Sequence, residues 1–245
     1  MYNWIDKEYI KQYTRIAAVD EAGRGPLAGP VVAAAVFLSD KQERELLKTL
    51  PFITDSKKLS EKKRNEIYNY VIEKGISHSV GLSDVTTIEK YNILVGTNMA
   101  MNNALKKLKE SFNMAIIDGK NLSIDYPNIQ IIKGDSRSLR IALASNIAKV
   151  VRDKIMQGYA KSYPEFGFEK NKGYGTKGHL QALDLYGPTP FHRLTFKPLL
   201  DILTKKRLIK WLETKEINQH RYEIIQSKFQ NSFLHQSHLT GFSYN

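Results

Sequence analysis

The chain has 245 residues, is 42% hydrophobic, lacks cysteine and carries a formal net charge of +12. That length and apolar fraction suit a globular protein with a real core, and the missing cysteine excludes disulfides, thiolate nucleophiles and cysteine-bound zinc. The basic balance points to a polyanion, most often nucleic acid. No run reaches the roughly 20 apolar residues of a membrane span, and the N-terminus shows no apolar signal segment, so a cytoplasmic protein with no membrane partner is expected.

Residues 1–14 read as a short polar leader with some helical character. RIAAVDEA and VVAAAVFL (31–38) read as two strands joined by GRGPLAGP, which predicts an antiparallel hairpin with an elaborate loop. Ser60 is a plausible N-cap for a helix that starts at Glu61 and stops at Gly75. SHSVGLSD alternates as a strand does. From Thr87, IEKYNILVGTNMAMNNALKKLKES predicts one long helix with Ile88, Leu94, Met101, Leu105 and Leu108 as its apolar stripe. NMAIIDGK (113–120) and NIQIIKGD (128–135) are short strand-like runs, and 136–160 predicts another long helix. Strands followed by helices alternating with strands imply an α/β fold with a mixed β-sheet. After Ser162 glycine, aromatics and lysine mix. HLQALDLYG is a short helix, GPTPFHRLTFKPLL is turn-rich, and 201–245 reads as a helical extension of a domain spanning 1–200.

Three of these strand-like runs stop on an acid, in AAVDE, AIIDG and IIKGD. Neighbouring strand ends could gather Asp20, Glu21, Asp118 and Asp135 into a carboxylate cluster. Such a cluster suits hard divalent cations and two-metal phosphoryl transfer. The plain alternative for any one of them is a turn residue or helix cap, and Asp135 could be the N-cap of the helix after it. Strand alternation also sends Asp20 and Glu21 to opposite faces, so either β-geometry is distorted there or the two have different parts.

VDEAGRGPLAGPVV, TDSKKLSEKKR, IIDGK, KGDSRSLRIALASNIAKVVRD, YPEFGFEKNKGYGTKGH and HRLTFKP occur in this order, and in this the chain resembles bacterial ribonuclease HII over about residues 15–200. The resemblance implies a ribonuclease H-like mixed sheet flanked by helices, with Asp20, Glu21, Asp118 and Asp135 as catalytic and metal-binding residues. It implies an Mg²⁺- or Mn²⁺-dependent endonuclease for RNA–DNA hybrids and for single ribonucleotides in duplex DNA. Such an enzyme cuts on the 5′ side and leaves a 3′-hydroxyl and a 5′-phosphate. The sister family, ribonuclease HIII, has an extra N-terminal domain and lacks the GRG loop. About 14 residues precede the first strand here, so that family is not expected.

Reading a 2′-hydroxyl requires backbone close to the sugar, and glycine permits it. By resemblance, Gly23, Arg24 and Gly25 are the ribonucleotide sensor and Tyr174 contacts the sugar on the deoxyribose side of the junction. Lys57 and Lys58 are candidate phosphate contacts, with Lys172, His179 and Arg193 as weaker ones. His179 and His192 lack the spaced partners of a metal site. Asn146 departs from the family, which more often has isoleucine there, and is expected to be solvated or locally hydrogen-bonded. Some relatives engage a sliding clamp through a C-terminal motif, of which QNSFLHQSHLTGFSYN shows no clear version. A monomer is expected by resemblance. The rival readings are a non-catalytic basic nucleic-acid-binding protein, in which four acids would only repel phosphate, and a nuclease of this fold with another substrate, which the GRG loop and Tyr174 argue against.

Overall fold

The computed structural model describes residues 4–228; the tail motifs considered above lie outside them. β1 (Ile16–Ala22) and β2 (Val31–Phe37) pair antiparallel from Ala17↔Phe37 to Ala22↔Val32, as the hairpin reading predicts. β3 (Ser77–Ser83) joins β2 antiparallel. β4 (Met114–Asp118) runs parallel to β1, and β5 (Asn128–Ile131) parallel to β4, giving the order β3-β2-β1-β4-β5. The central pair is buried on both faces, which is why its strands read as runs of alanine and valine rather than as alternation.

The helices of the described residues include, in chain order, α1 (Asp6–Gln12), α2 (Asp40–Thr49), α3 (Glu61–Glu73), α4 (Val85–Tyr91), α5 (Ile93–Lys107), α6 (Leu139–Ser162), α7 (Phe168–Asn171), α8 (Lys177–Tyr186), α9 (Lys197–Ile202) and α10 (Lys205–Glu213), with further helix at 219–228. Ser60 caps α3 by accepting from the Lys63 N–H. The single helix expected from Ile88 is two helices, because Asn92 takes φ 121 and breaks the run. Asparagine tolerates positive φ better than most residues. α2 is absent from the expectations above, although its S-x-x-Q capping box is present in the sequence. Ser39 accepts from the Gln42 N–H, and Gln42 accepts from the Ser39 N–H.

Two compact units are distinguishable. The first holds Met1–Arg24, Pro30–Asp84 and Ile93–Met156, hence the whole sheet. Ile16, Ala18, Ala34 and Val36 face α3 and α6, together with Ile67, Val71, Leu139, Leu143 and Ile147. The opposite face meets α5. Ala33 pairs with Gly81 and Ala35 with Ser79, and Ser79 donates to the Ala104 carbonyl at 2.6 Å. The N-terminal leader is no loose end, since the buried Asp6 accepts from Ser138 Oγ and from the Leu139 N–H, both at 2.6 Å. Asp6 and Ser138 therefore cap α6. Asp135 does not, which corrects one plain alternative above.

The second unit holds Gly25–Gly29, Val85–Asn92 and the described residues from Gln157 on. Phe166, Phe168, His179 and His192 form one buried centre. Leu194, Leu203, Leu208, Trp211, Ile217 and Ile225 form another. Among the described residues, no helix is long and apolar enough to cross a membrane.

Candidate active site

Register decides where the acids go. Ala18 pairs with Ile116 and Val19 with Ile117 across β1 and β4, so one step further Asp20 lies beside Asp118 on the α6 face. Glu21 is next in line on the other face, but the Asp20 carboxylate bends back to accept the Glu21 N–H at 2.7 Å. The two carboxyl groups also interact directly. This answers the alternation problem without breaking the strand, since Glu21 still pairs with Ala33. The third strand does not end on its acid. β5 stops at Ile131, Lys133 takes φ 56, and Asp135 comes from the tight helical turn Gly134–Ser136. Gly134 permits that turn to close on β4. Its N–H donates to Asp118 Oδ1 at 2.5 Å, and a Cβ there would lie 2.7 Å from Ile141 Cδ1.

The acids crowd one another. Burial, then Glu21 and Asp118, raise the Asp20 carboxyl well above its ordinary value. Burial raises Glu21, with Arg24 opposing and Asp118 adding to the rise. Burial raises Asp118 against the Gly134 N–H and Lys57. Burial, Asp118 and Asp55 push Asp135 up to about 6. Burial and like charge act in the same direction here, as at sites built to receive positive charge.

Lys57 supplies part of that charge, its Nζ 3.8 Å from Asp135 Oδ2 although the side chain is mostly exposed. Burial pulls the Lys57 ammonium down, but Asp135, Asp55, Asp20 and Asp118 together outweigh it and raise it above the usual lysine value. Lys58, exposed on the same turn, is not part of this ion pair. Two features escaped sequence reasoning. Asp55 caps the Lys57 N–H at 2.9 Å and faces Asp118 and Asp135; in TDSKK the sequence singles out the lysines and not the acid beside them. Ser145 hydrogen-bonds Asp20 and lies 2.9 Å from Ser56 Oγ. Its signal was a hydroxyl interrupting the alanine run of α6.

Gly23 and Arg24 belong to the first unit. Gly23 takes φ +101, and a Cβ there would meet the Arg152 side chain and the Pro30 carbonyl at 2.7 Å. Arg152 is buried and donates to that same carbonyl. Arg24 is half-exposed, 3.7 Å from Glu21. In the second unit, a Cβ on Gly25 would lie 3.7 Å from Cε1 of Tyr174, which is 47% exposed. The Leu27 N–H donates to the Gly173 carbonyl, Gly29 to Phe191, and Arg193 to Leu27, so residues 25–29 are laced between the GYG and FHR segments. Arg193 is not a surface phosphate contact. It is fully buried and donates to the Gly29 and Pro26 carbonyls. Lys172 is likewise buried, its ammonium on the Glu169 carbonyl. His179 and His192 are a buried hydrogen-bonded pair.

Among the described residues, no three Asp, Glu, His or Cys side chains stand close enough to enclose an ion unaided. The donor set nonetheless fits a hard divalent cation: four carboxyls at one end of the sheet, each raised in pKa by burial. Mg²⁺ in particular needs only one or two protein carboxylates, the remainder being water and substrate phosphate.

Residues 17–199 match the family model for ribonuclease HII. The chain is 49% identical to the ribonuclease HII of Bacillus subtilis (strain 168) over 189 residues, 77% of this chain and 72% of that one. Among solved structures it is similar to the ribonuclease H2 from Pyrococcus horikoshii OT3, with TM-score 0.66 and 24% identity over 79% of this chain and 98% of the other. It is also similar to Bst-RNase HIII in complex with Mn²⁺, with TM-score 0.59 and 18% identity over 77% and 68%. At those identities the structures speak to the fold, which is the ribonuclease H-like mixed sheet flanked by helices expected from the sequence. With its family model matched across the sheet, the acids and the GRG loop, the chain belongs to the ribonuclease HII family and is a ribonuclease H enzyme.

Proposed function

We propose that this enzyme hydrolyses the RNA strand of RNA–DNA hybrids and nicks duplex DNA on the 5′ side of single embedded ribonucleotides, leaving a 3′-hydroxyl and a 5′-phosphate. The carrying observation is the crowding of Asp20, Glu21, Asp118 and Asp135, whose carboxyl groups are all raised in pKa. Mutual repulsion of that kind favours a site that is finished by a cation. These four residues would hold Mg²⁺ or Mn²⁺. When bound, such ions acidify a water for in-line attack and neutralise the leaving oxygen. Ser145 and the Gly134 N–H hold the Asp20 and Asp118 carboxylates in place. Lys57 offers an exposed ammonium to phosphate beside Asp135.

Gly23, Arg24 and Gly25 read the 2′-hydroxyl in this proposal, and the exposed ring of Tyr174 packs on the deoxyribose that follows. The partner is a ribonucleotide-containing duplex, in keeping with the net charge of +12. The catalytic region is taken as 1–200, with 201–245 as a helical extension. The test is cleavage of a labelled DNA duplex carrying one ribonucleotide, in Mg²⁺, in Mn²⁺ and in EDTA, beside an all-DNA control. A single metal-dependent cut 5′ of the ribonucleotide is expected. Cleavage of long hybrids with none at the single ribonucleotide would overturn the sensor assignment, and cleavage unaffected by EDTA would overturn the metal site.

A further inference from the structure

We propose that the buried His192–His179 pair is a positioning relay that fixes the backbone of Tyr174 and so holds its ring ready for the substrate sugar. The inference rests on the reading of Tyr174 given above and extends it to residues with no assigned part in that reading. Hydrogen-bond chemistry fixes every proton in the chain. The Thr189 N–H can only donate, and it meets His192 Nδ1 at 2.9 Å. His192 Nδ1 is therefore an acceptor, and its proton is on Nε2. That Nε2 lies 2.9 Å from His179 Nε2, which must accept. The His179 proton is then on Nδ1, 2.8 Å from the Tyr174 carbonyl, a group that can only accept. Both rings are neutral, each in one tautomer; a proton added to His179 Nε2 would face the His192 donor, and one added to His192 Nδ1 would face the Thr189 N–H, beside the Thr189 hydroxyl at 2.8 Å.

The surroundings hold the chain in this state. Both rings are almost completely buried and pack against Phe166 and Phe168 with centroids 5.1–6.1 Å apart. Burial lowers the pKa of His179, and burial with His179 and Arg221 lowers His192 to about 3. At the far end Arg221 donates to the His192 carbonyl at 3.0 Å and to Pro190, and is itself paired with the buried Glu89. Arg221 lies beyond the 17–199 span of the family model. At the near end the Tyr174 N–H donates to the Asn171 carbonyl at 2.9 Å. Tyr174 thus has its N–H and its carbonyl both tied down while its ring remains exposed. Two core histidines satisfied for packing alone would have no need to end on the backbone of an exposed aromatic. A fixed backbone under a free ring is what preorganised recognition requires.

The test uses two substitutions that differ in which ring nitrogen they imitate. His179→Asn keeps a donor where Nδ1 was; His179→Gln places its amide at Nε2 and leaves the Tyr174 carbonyl with the Thr176 N–H alone, 2.8 Å away. The readout is the ratio of kcat/KM on a duplex with one ribonucleotide followed by deoxyribonucleotide to that on a continuous RNA–DNA hybrid, with Tyr174→Ala marking the full effect. His179→Gln is expected to lower the ratio about tenfold and His179→Asn to hold it within about threefold of the parent. Equal behaviour of the two variants would overturn the relay. A Tyr174→Ala ratio equal to the parent's would instead overturn the reading of Tyr174 itself. Nitrogen–proton correlation spectra of the unmodified protein give a check independent of variant folding. Nδ1–H on His179 together with Nε2–H on His192 supports the relay, and any other pair of tautomers sinks it.

Discussion

The two units bury polar groups in opposite ways. At the ends of β1 and β4 the first unit gathers Asp20, Glu21, Asp118 and Asp135 with Lys57 and Arg24 as their nearby cations, and every one of the four carboxyls is pushed toward its protonated form. Around His192 the second unit buries two histidines, Arg193, Arg221 and Glu89, and each has a matched partner. One region stores unmet charge and the other is closed on itself. Buried groups without partners are destabilising, and full networks specify a single arrangement. The contrast therefore separates a place kept ready for an outside ligand from a place that holds geometry.

The largest effect expected from this contrast is catalytic. Asp118→Asn keeps the oxygen that accepts the Gly134 N–H but removes a charge, and should lower the rate of hybrid cleavage about a thousandfold or more. Thermal denaturation without metal should show the variant no less stable than the parent. A clear drop in Tm would mean that the acids stabilise the fold and would break the comparison.

Arg221→Ala should act in the reverse sense. It leaves the buried Glu89 carboxylate without its partner, a loss of about 3–5 kcal/mol, which corresponds to a Tm lower by about 10 °C in a chain of this size. Chemical denaturation of the variant measures it, and a change within about 0.5 kcal/mol would show that the network is not what holds this unit.

Titration sharpens the comparison next. Asp135 at about 6 in the fold against 3.8 unfolded keeps its proton where the unfolded chain has lost it. Its charge therefore destabilises the metal-free protein above pH 6, and that penalty fades as pH falls toward 4. Asp135→Asn should stabilise the metal-free protein at pH 7.5 by about 1–2 kcal/mol, with the advantage vanishing near pH 4. His192 runs the other way. Lowered to about 3 from 6.5, it withdraws stability as pH falls below 6.5. Denaturant midpoints of parent and variant across pH 4–8 test both slopes, and an advantage independent of pH would rule out the charge explanation.

The smallest expected effect concerns Asn146 on α6. It is fully buried, and neither atom of its amide has a hydrogen-bond partner, so the expectation of solvent or a local hydrogen bond was wrong. Asn146→Ile should raise stability by about 1 kcal/mol, or Tm by about 2–4 °C, with activity unchanged. A lower Tm would show that the site has no room for the added methyls.

The sheet was legible because its strands carry strong small and β-branched runs bounded by glycine and proline, and the four acids because they sit at or just beyond the ends of those runs. What escaped depends on side-chain direction. Alternation alone separates Asp20 from Glu21, and only the bent carboxylate of Asp20 brings them together. Asp135 reaches its neighbours from a turn made possible by Lys133 at positive φ, a residue type that gives no warning of it. Arg193 and Lys172 looked like phosphate contacts because basic residues in a basic protein do; burial against carbonyls cannot be read from composition. His179 and His192 are 13 residues apart with no motif between them, and their pairing needs the fold.

The Glu89–Arg221 pair also sets an order in time. The partners are separated by 132 positions in the chain, and synthesis adds residues from the N-terminus at roughly 5–20 per second. For several seconds the carboxylate of α4 waits for its guanidinium, and the Leu194 N–H that it also accepts arrives in between. The second unit therefore cannot reach its final packing while the chain is still short of residue 221. A ribosome paused before that point would hold a chain with all five strands synthesised and Glu89 still lacking its guanidinium.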